Sequence, residues 1–248
     1  VKIRNAVLRQ TKLVVRLNSI YRMYISYIEM YSNKFYNVYQ KNIHSQNGED
    51  GIVEELLKRL NIESGYVCEF GAWDGIHLSN TFNLVQNKNF NAVFIEGDEN
   101  RYNDLLNTVE KFPNIIPIKA YVDHNDTSNS LDNLLKKTII PNDFDILSID
   151  IDSYDYQVWQ SLKVYKPKIV IIEINSSTKV NNSEWIHTPG KYDGTGFKPT
   201  YDLGIEKGYK FILHTGNMFF IRSDLFDKLN ITYDNPLENF RTNWGGGI

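Results

Sequence analysis

With 248 residues, the chain can form one α/β domain with a substantial core and still leave room for an appendage. It is 42% hydrophobic and 23% charged, a globular composition, and its formal net charge of -3 argues against nucleic acid as an obligatory partner, which would call for a basic domain or stripe. The lone Cys68 excludes an intrachain disulfide and points to a reducing, cytoplasmic setting; no apolar run is long enough to cross a bilayer and no secretory signal opens the sequence, which begins on Val1 as a domain cut from something longer would.

Residues 1–43 differ from the rest. Lys2, Arg4, Arg9, Lys12, Arg16, Arg22 and Lys34 face a single acid, Glu29. Val14, Leu17, Tyr21, Tyr24, Ile28, Tyr31, Phe35 and Val38 step alternately by three and four, the heptad spacing of one helical face. The segment reads as a helical N-terminal extension to a domain over residues 44–248. Its face packs on that domain, or else makes a homodimer or partner-domain contact through residues 1–40. A seam rich in tyrosine suits a protein contact better than insertion at a membrane surface.

From residue 44 the pattern alternates. Apolar, β-rich runs occur at 66–70, 92–96, 115–121, 144–149, 168–174, 209–213 and 218–221, with helical patterns at 51–60, 80–86, 100–110, 130–137 and 154–162. Continuous apolar strands each followed by a helix predict a parallel sheet covered on both faces. Only four residues, His214 to Asn217, separate the last two strands, which predicts an antiparallel hairpin. Five parallel strands and a terminal hairpin is not the six-strand order of an NAD-binding domain.

The first strand carries Glu69 near its end, then turns through Gly71 and Gly75; the second ends on Glu96, followed by Gly97 and Asp98. Ligands of open parallel sheets bind beyond the carboxyl ends of the strands. Gly71 lets backbone approach a ligand, and an acid in the place of Glu96 can accept from both hydroxyls of a ribose. Gly-x-Gly-x-x-Gly is missing, and Trp73 and Asp74 stand where a pyrophosphate would need bare backbone, so a dinucleotide site is disfavoured.

Ser45-Gln-Asn-Gly-Glu-Asp-Gly-Ile52 ahead of a helix, Glu69 to Gly75, His77 to Thr81, Phe94 to Asp98, Leu147 to Asp152, Ile171 to Asn175 and Asn217 to Arg222 together resemble the FkbM-type methyltransferases, and within them the branch of glycan and polysaccharide gene clusters. The likeness spans about residues 44–222. It implies a Rossmann-like class I methyltransferase fold, S-adenosylmethionine as donor, and a hydroxyl acceptor on a glycan or sugar nucleotide. Glu69 is then placed to meet the ammonium of the methionine portion. The expected cofactor set is Gln46, Glu69, Gly71, Asp74, Ser79, Glu96, Asp98 and Asp123. Asp50 serves equally well as a helix cap. A non-sugar acceptor, or a non-catalytic assembly module using the N-terminal helix, are the competing readings. A pure scaffold has no need of the acids described next.

Asp150 and Asp152 lie two residues apart at the end of the fourth strand, and Glu173 and Asn175 repeat that spacing on the fifth. Methyl transfer to oxygen needs alignment and a destination for the hydroxyl proton. Three readings stand side by side. Asp150, Asp152 and Glu173 hold Mg²⁺ or Mn²⁺ against the acceptor hydroxyls; one aspartate or a histidine is a general base; or Asp152 caps the following helix with Asp155 at its third position. Of His44, His77, His124, His187 and His214, His187 stands out, because it lies in the 176–199 loop among Trp185, Pro189 and Tyr192, residues suited to a sugar face.

Overall fold

The computed structural model describes residues 38–231, so all but the last few residues of the helical extension expected over 1–43 lie outside the described residues. The elements run Glu49–Leu60 (α1), Tyr66–Phe70 (β1), Phe82–Asn87 (α2), Asn91–Glu96 (β2), Glu99–Val109 (α3), Ile115–Lys119 (β3), Leu131–Leu135 (α4), Ile146–Ile149 (β4), Asp155–Ser161 (α5), Ile169–Glu173 (β5), Phe197–Glu206 (α6), Tyr209–His214 (β6) and Asn217–Arg222 (β7), followed by a 3₁₀ segment, Ser223–Leu229. Among the described residues, no helix is long and apolar enough to cross a membrane.

The seven strands form one sheet in the order β3-β2-β1-β4-β5-β7-β6. All neighbours are parallel except β7, which runs antiparallel to both β5 and β6. This is the Rossmann-like class I methyltransferase fold, with the parallel sheet and terminal hairpin expected from the sequence. β2 and β5 are buried at every position but one, which is why they read as unbroken apolar runs.

Alternation along the strands sorts side chains into two cores. Val67, Phe94, Ile146, Ile171 and Phe219 pack with Ile52 and Leu56 of α1. Phe70, Leu147, Ile172 and Phe220 pack on the other face with Trp159 of α5 and Leu203 of α6. α1 suits its place: it buries Ile52, Val53, Leu56 and Leu57, starts on Glu49 and Asp50, and ends on Lys58 and Arg59, charges that complement the helix dipole. Residues 38–41 strap its first turn. The Gly51 amide donates to the Lys41 carbonyl at 3.1 Å, and a Cβ on Gly51 would overlap the Tyr39 carbonyl oxygen.

One helix escaped the sequence pattern. α6 begins inside the stretch read as the 176–199 loop, so the loop after β5 ends at Gly196. Pro199 and Gly204 disguised it. Pro199 is third in the helix, where its missing N–H forfeits no intrahelical bond. A Cβ on Gly204 would overlap the Phe220 ring, so the glycine lets the helix lie close on β7.

Candidate functional site

Glu69, Glu96 and Glu173 share the sheet face of Val67, Phe94 and Ile171, and Asp150 follows Ile146 and Ser148 on that face at the end of β4. Four acids from four strands therefore stand at the carboxyl edge on one side of the sheet.

On the β1–β2 side the acids organise backbone. Glu69 is 5% exposed; its carboxylate accepts from Ser79 Oγ at 2.8 Å, from Thr81 Oγ1 and from the Asn80 amide. Burial raises its pKa, and these three donors oppose the rise. Ser79 Oγ also accepts from the Phe82 amide at 2.9 Å and so ties Glu69 to the start of α2. The two oxygens of Glu96 accept from the Trp73 and Asp98 amides, each at 2.8 Å, leaving each oxygen one further lone pair. Gly71 has φ 77°, and a Cβ there would overlap the Asp150 carbonyl oxygen. The glycine is thus required by β4, not only by an approaching ligand.

The other residues of the expected cofactor set have local work. Asp98 caps α3, accepting from the Asn100 and Arg101 amides at 2.9 and 3.0 Å. Asp74 accepts from the Ile76 and His77 amides, and Asp123 from the Asn125 amide and Thr127 Oγ1. Gln46 is exposed, its carbonyl accepting from Asn42 Nδ2. Asp50 does not cap α1, where Gly48 stands; its Oδ2 gathers the amides of Ile43, His44 and Ser45 and the Ser45 hydroxyl. Around Glu96 the surface is aromatic: Trp73 is 40% exposed with the Arg101 guanidinium 4.0 Å over its ring, and Tyr121, 72% exposed, lies against Gly97.

The β4–β5 side is acidic. Carboxylate oxygens of Asp150, Asp152 and Glu173 lie within 4.8 Å of one another. Burial, together with the neighbouring acids, pushes Asp150 up to about 7 and Glu173 up to about 10, and the two carboxyls are hydrogen-bonded to each other. Asp152 has φ 58°, which turns the chain sharply after β4. It does not cap α5; Tyr154 holds that position. The fixing carboxylate is Asp155, buried, accepting from the Ile151 and Ser153 amides at 2.8 Å. Its role was hidden because a capping pattern assigns the work to Asp152. A cavity of about 400 Å³ opens here, lined by Asp152, Asp155, Glu173, Asn175, Asp193 and Gly194 among others; among the described residues no lysine, arginine or histidine lines it. A larger cavity of about 820 Å³ lies behind α1, beside Tyr39, Lys41 and Lys58, away from the strand ends and at the limit of the described residues.

The loop after β5 sets His187 against Tyr154, outside the lining of the smaller cavity. Its ring meets Tyr154 edge-on at 4.7 Å, and Tyr154 stacks on His124 at 4.6 Å. The Gly194 amide donates to His187 Nδ1 at 3.3 Å, so a neutral ring keeps its proton on Nε2 and donates from there. His44 instead pairs with Gln86 and His77 packs on Trp73.

No protein-family model matches this sequence, and no curated protein matches it. Solved structures do. An S-adenosylmethionine-dependent methyltransferase from Clostridium acetobutylicum is 11% identical, with 82% of this chain and 98% of that one covered and a TM-score of 0.45. TrmK of M. capricolum, solved with S-adenosyl-homocysteine, is 18% identical over 67% of each chain, TM-score 0.41. TYW2 of M. jannaschii, solved with AdoMet, is 16% identical over 73% of this chain and 79% of that one, TM-score 0.40. The fold assignment stands on the strand order of this chain itself.

Proposed function

We propose that this chain is an S-adenosylmethionine-dependent O-methyltransferase acting on a sugar hydroxyl of a glycan or polysaccharide precursor. One observation carries the reading: acids at the carboxyl ends of β1, β2, β4 and β5 share a single sheet face, so a donor site and an acceptor site adjoin. The donor set fits a nucleoside. Glu96 keeps lone pairs for two ribose hydroxyls, and Trp73 and Tyr121 offer exposed rings beside it for a base. Glu69, with Gly71, shapes the wall for the methionine portion, holding the 79–81 loop in place.

S-adenosylmethionine supplies a methyl group on a sulfonium, and Asp150, Asp152 and Glu173 would hold Mg²⁺ or Mn²⁺, which lowers the pKa of a bound hydroxyl. The donor chemistry fits: three hard oxygens that would repel one another if all were ionised converge within one ion's reach. Asp155 positions this group by fixing the turn that carries Asp152. Tyr154, Trp185 and Tyr192 would present faces to a sugar ring, and His187 a donor at Nε2. The acidic wall favours a neutral or cationic acceptor, so the diphosphate of a sugar nucleotide would have to lie outside the cavity. Cys68, buried with its thiol pKa pushed up, is an inert core residue in keeping with a reducing compartment. Residues 1–43 would serve as a contact element.

The test is release of S-adenosylhomocysteine from the full chain given S-adenosylmethionine and oligosaccharide acceptors, set against amine and phosphorylated sugars. Release with amines alone would move the acceptor assignment. Absence of any S-adenosylhomocysteine binding by calorimetry would overturn the reading altogether.

A further inference from the structure

Asn217 opens β7 directly opposite Glu173 in the antiparallel ladder. Opposed residues on one rung project from the same face. The pattern along β7 agrees: Phe219 and Ile221 belong to the core beneath α1, whereas Met218 and Phe220 belong to the other. Asn217 therefore extends the row of Asp150 and Glu173 by one strand. It is 5% exposed, and among the described residues its side-chain carbonyl oxygen has no hydrogen-bond partner.

A buried amide oxygen without a donor is uncommon and calls for a cause. Among the described residues none donates a hydrogen bond to it, and the acids on its row, Glu173 and Asp150, are acceptors when ionised. The Thr215 hydroxyl accepts from the Asn217 amide and donates to Glu49 Oε1 at 2.6 Å. What a group of unsatisfied oxygens can share is a cation, and an amide carbonyl is as hard a ligand as a carboxylate.

We propose that Asn217, by turning its carbonyl toward the carboxylates, is a fourth protein ligand of a divalent ion held by Asp150, Asp152 and Glu173. This rests on the metal reading given above. Four single-oxygen ligands leave two positions of an octahedral ion, adjacent or opposed; the adjacent pair is what two neighbouring hydroxyls of a ring can fill. The acceptor class is then a vicinal diol.

Titrating the full chain with Mn²⁺ and following free ion by electron paramagnetic resonance tests the ligand. Asn217→Ala should weaken binding about tenfold or more, and Asn217→Asp, which keeps an oxygen in place, should bind at least as well as wild type. In the wild-type protein, bound Mn²⁺ should also broaden the Asn217 side-chain amide resonance beyond detection, a readout that needs no variant to fold. If Asp150→Asn loses Mn²⁺ while Asn217→Ala keeps it, or if the amide resonance stays sharp, Asn217 is no ligand and the metal reading survives. If wild type takes up no Mn²⁺, both fall together. A methyl acceptor lacking a neighbouring hydroxyl that reacts as fast as its diol counterpart would remove the diol assignment alone.

Discussion

Asp150 and Glu173 sit one step beyond the Ile149–Ile172 pair of the β4–β5 ladder, and their carboxyls are hydrogen-bonded to each other across the strands. Both lean toward the protonated form because burial penalises the charged one and the neighbouring acids repel it.

The sign of the stability effect follows. An acid whose folded pKa lies above its unfolded value costs stability once the unfolded chain would release the proton. For Asp150 that cost grows as pH rises from about 4 to about 7, then levels off. Asp150→Asn removes it, so the variant should be more stable than wild type at pH 8, by up to about 4 kcal/mol, and nearly equal to it at pH 4. Thermal melts at the two pH values measure this. A variant that melts lower than wild type at pH 8 would show that Asp150 is satisfied as an anion by partners in the fold.

Chelation should separate the two halves of the proposed site. EDTA should abolish turnover, and Mg²⁺ or Mn²⁺ should restore it, while S-adenosylhomocysteine affinity stays unchanged. Asp150→Asn and Glu173→Gln should imitate the chelated enzyme. Full turnover in chelated protein, rising with pH through one ionisation, would instead make a single carboxylate the base.

Glu96→Ala should weaken S-adenosylhomocysteine binding by about 1–3 kcal/mol, since it removes the proposed acceptor for the ribose hydroxyls. It also strips the Trp73 and Asp98 amides of their acceptor, so the melting temperature should fall as well. Calorimetric titration and a melt on one preparation read both. An unchanged affinity would take Glu96 out of the donor site.

Asp98 offers a contrast two residues away. As the cap of α3, its replacement by alanine should cost about 1 kcal/mol of stability. S-adenosylhomocysteine affinity should stay within about twofold if capping is its whole role. A larger loss, measured by the same titration, would return Asp98 to the cofactor contacts.

The strands and their parallel sheet were legible because central parallel strands announce themselves as apolar runs, and acids at their ends interrupt those runs visibly, as at Glu69, Glu96 and Glu173. What a carboxylate does there was not legible. Asp74, Asp98 and Asp155 each bind amides two to four residues away, and no spacing tells such an acid from one that faces a ligand. Contacts between distant segments were hidden for another reason. Glu49 meets Thr215, 166 residues on, only because β7 folds back beside β5 and α1 covers that corner. α6 was obscured by a proline and a glycine whose fitness depends on helix position and on the Phe220 ring, neither of which belongs to local sequence.

Gly71 has a consequence for anyone who would redesign the proposed acceptor pocket. Because the Asp150 carbonyl occupies the space a side chain would need, the turn after β1 and the acid after β4 move as one piece. Libraries that vary the residues around Asp150 will therefore shift the turn after β1 as well, and on the proposed function gains in selectivity would come coupled to changed donor affinity. Variation confined to the loop between Ile174 and Gly196, which is not wedged against the glycine turn, is the place where the two properties can be tuned apart.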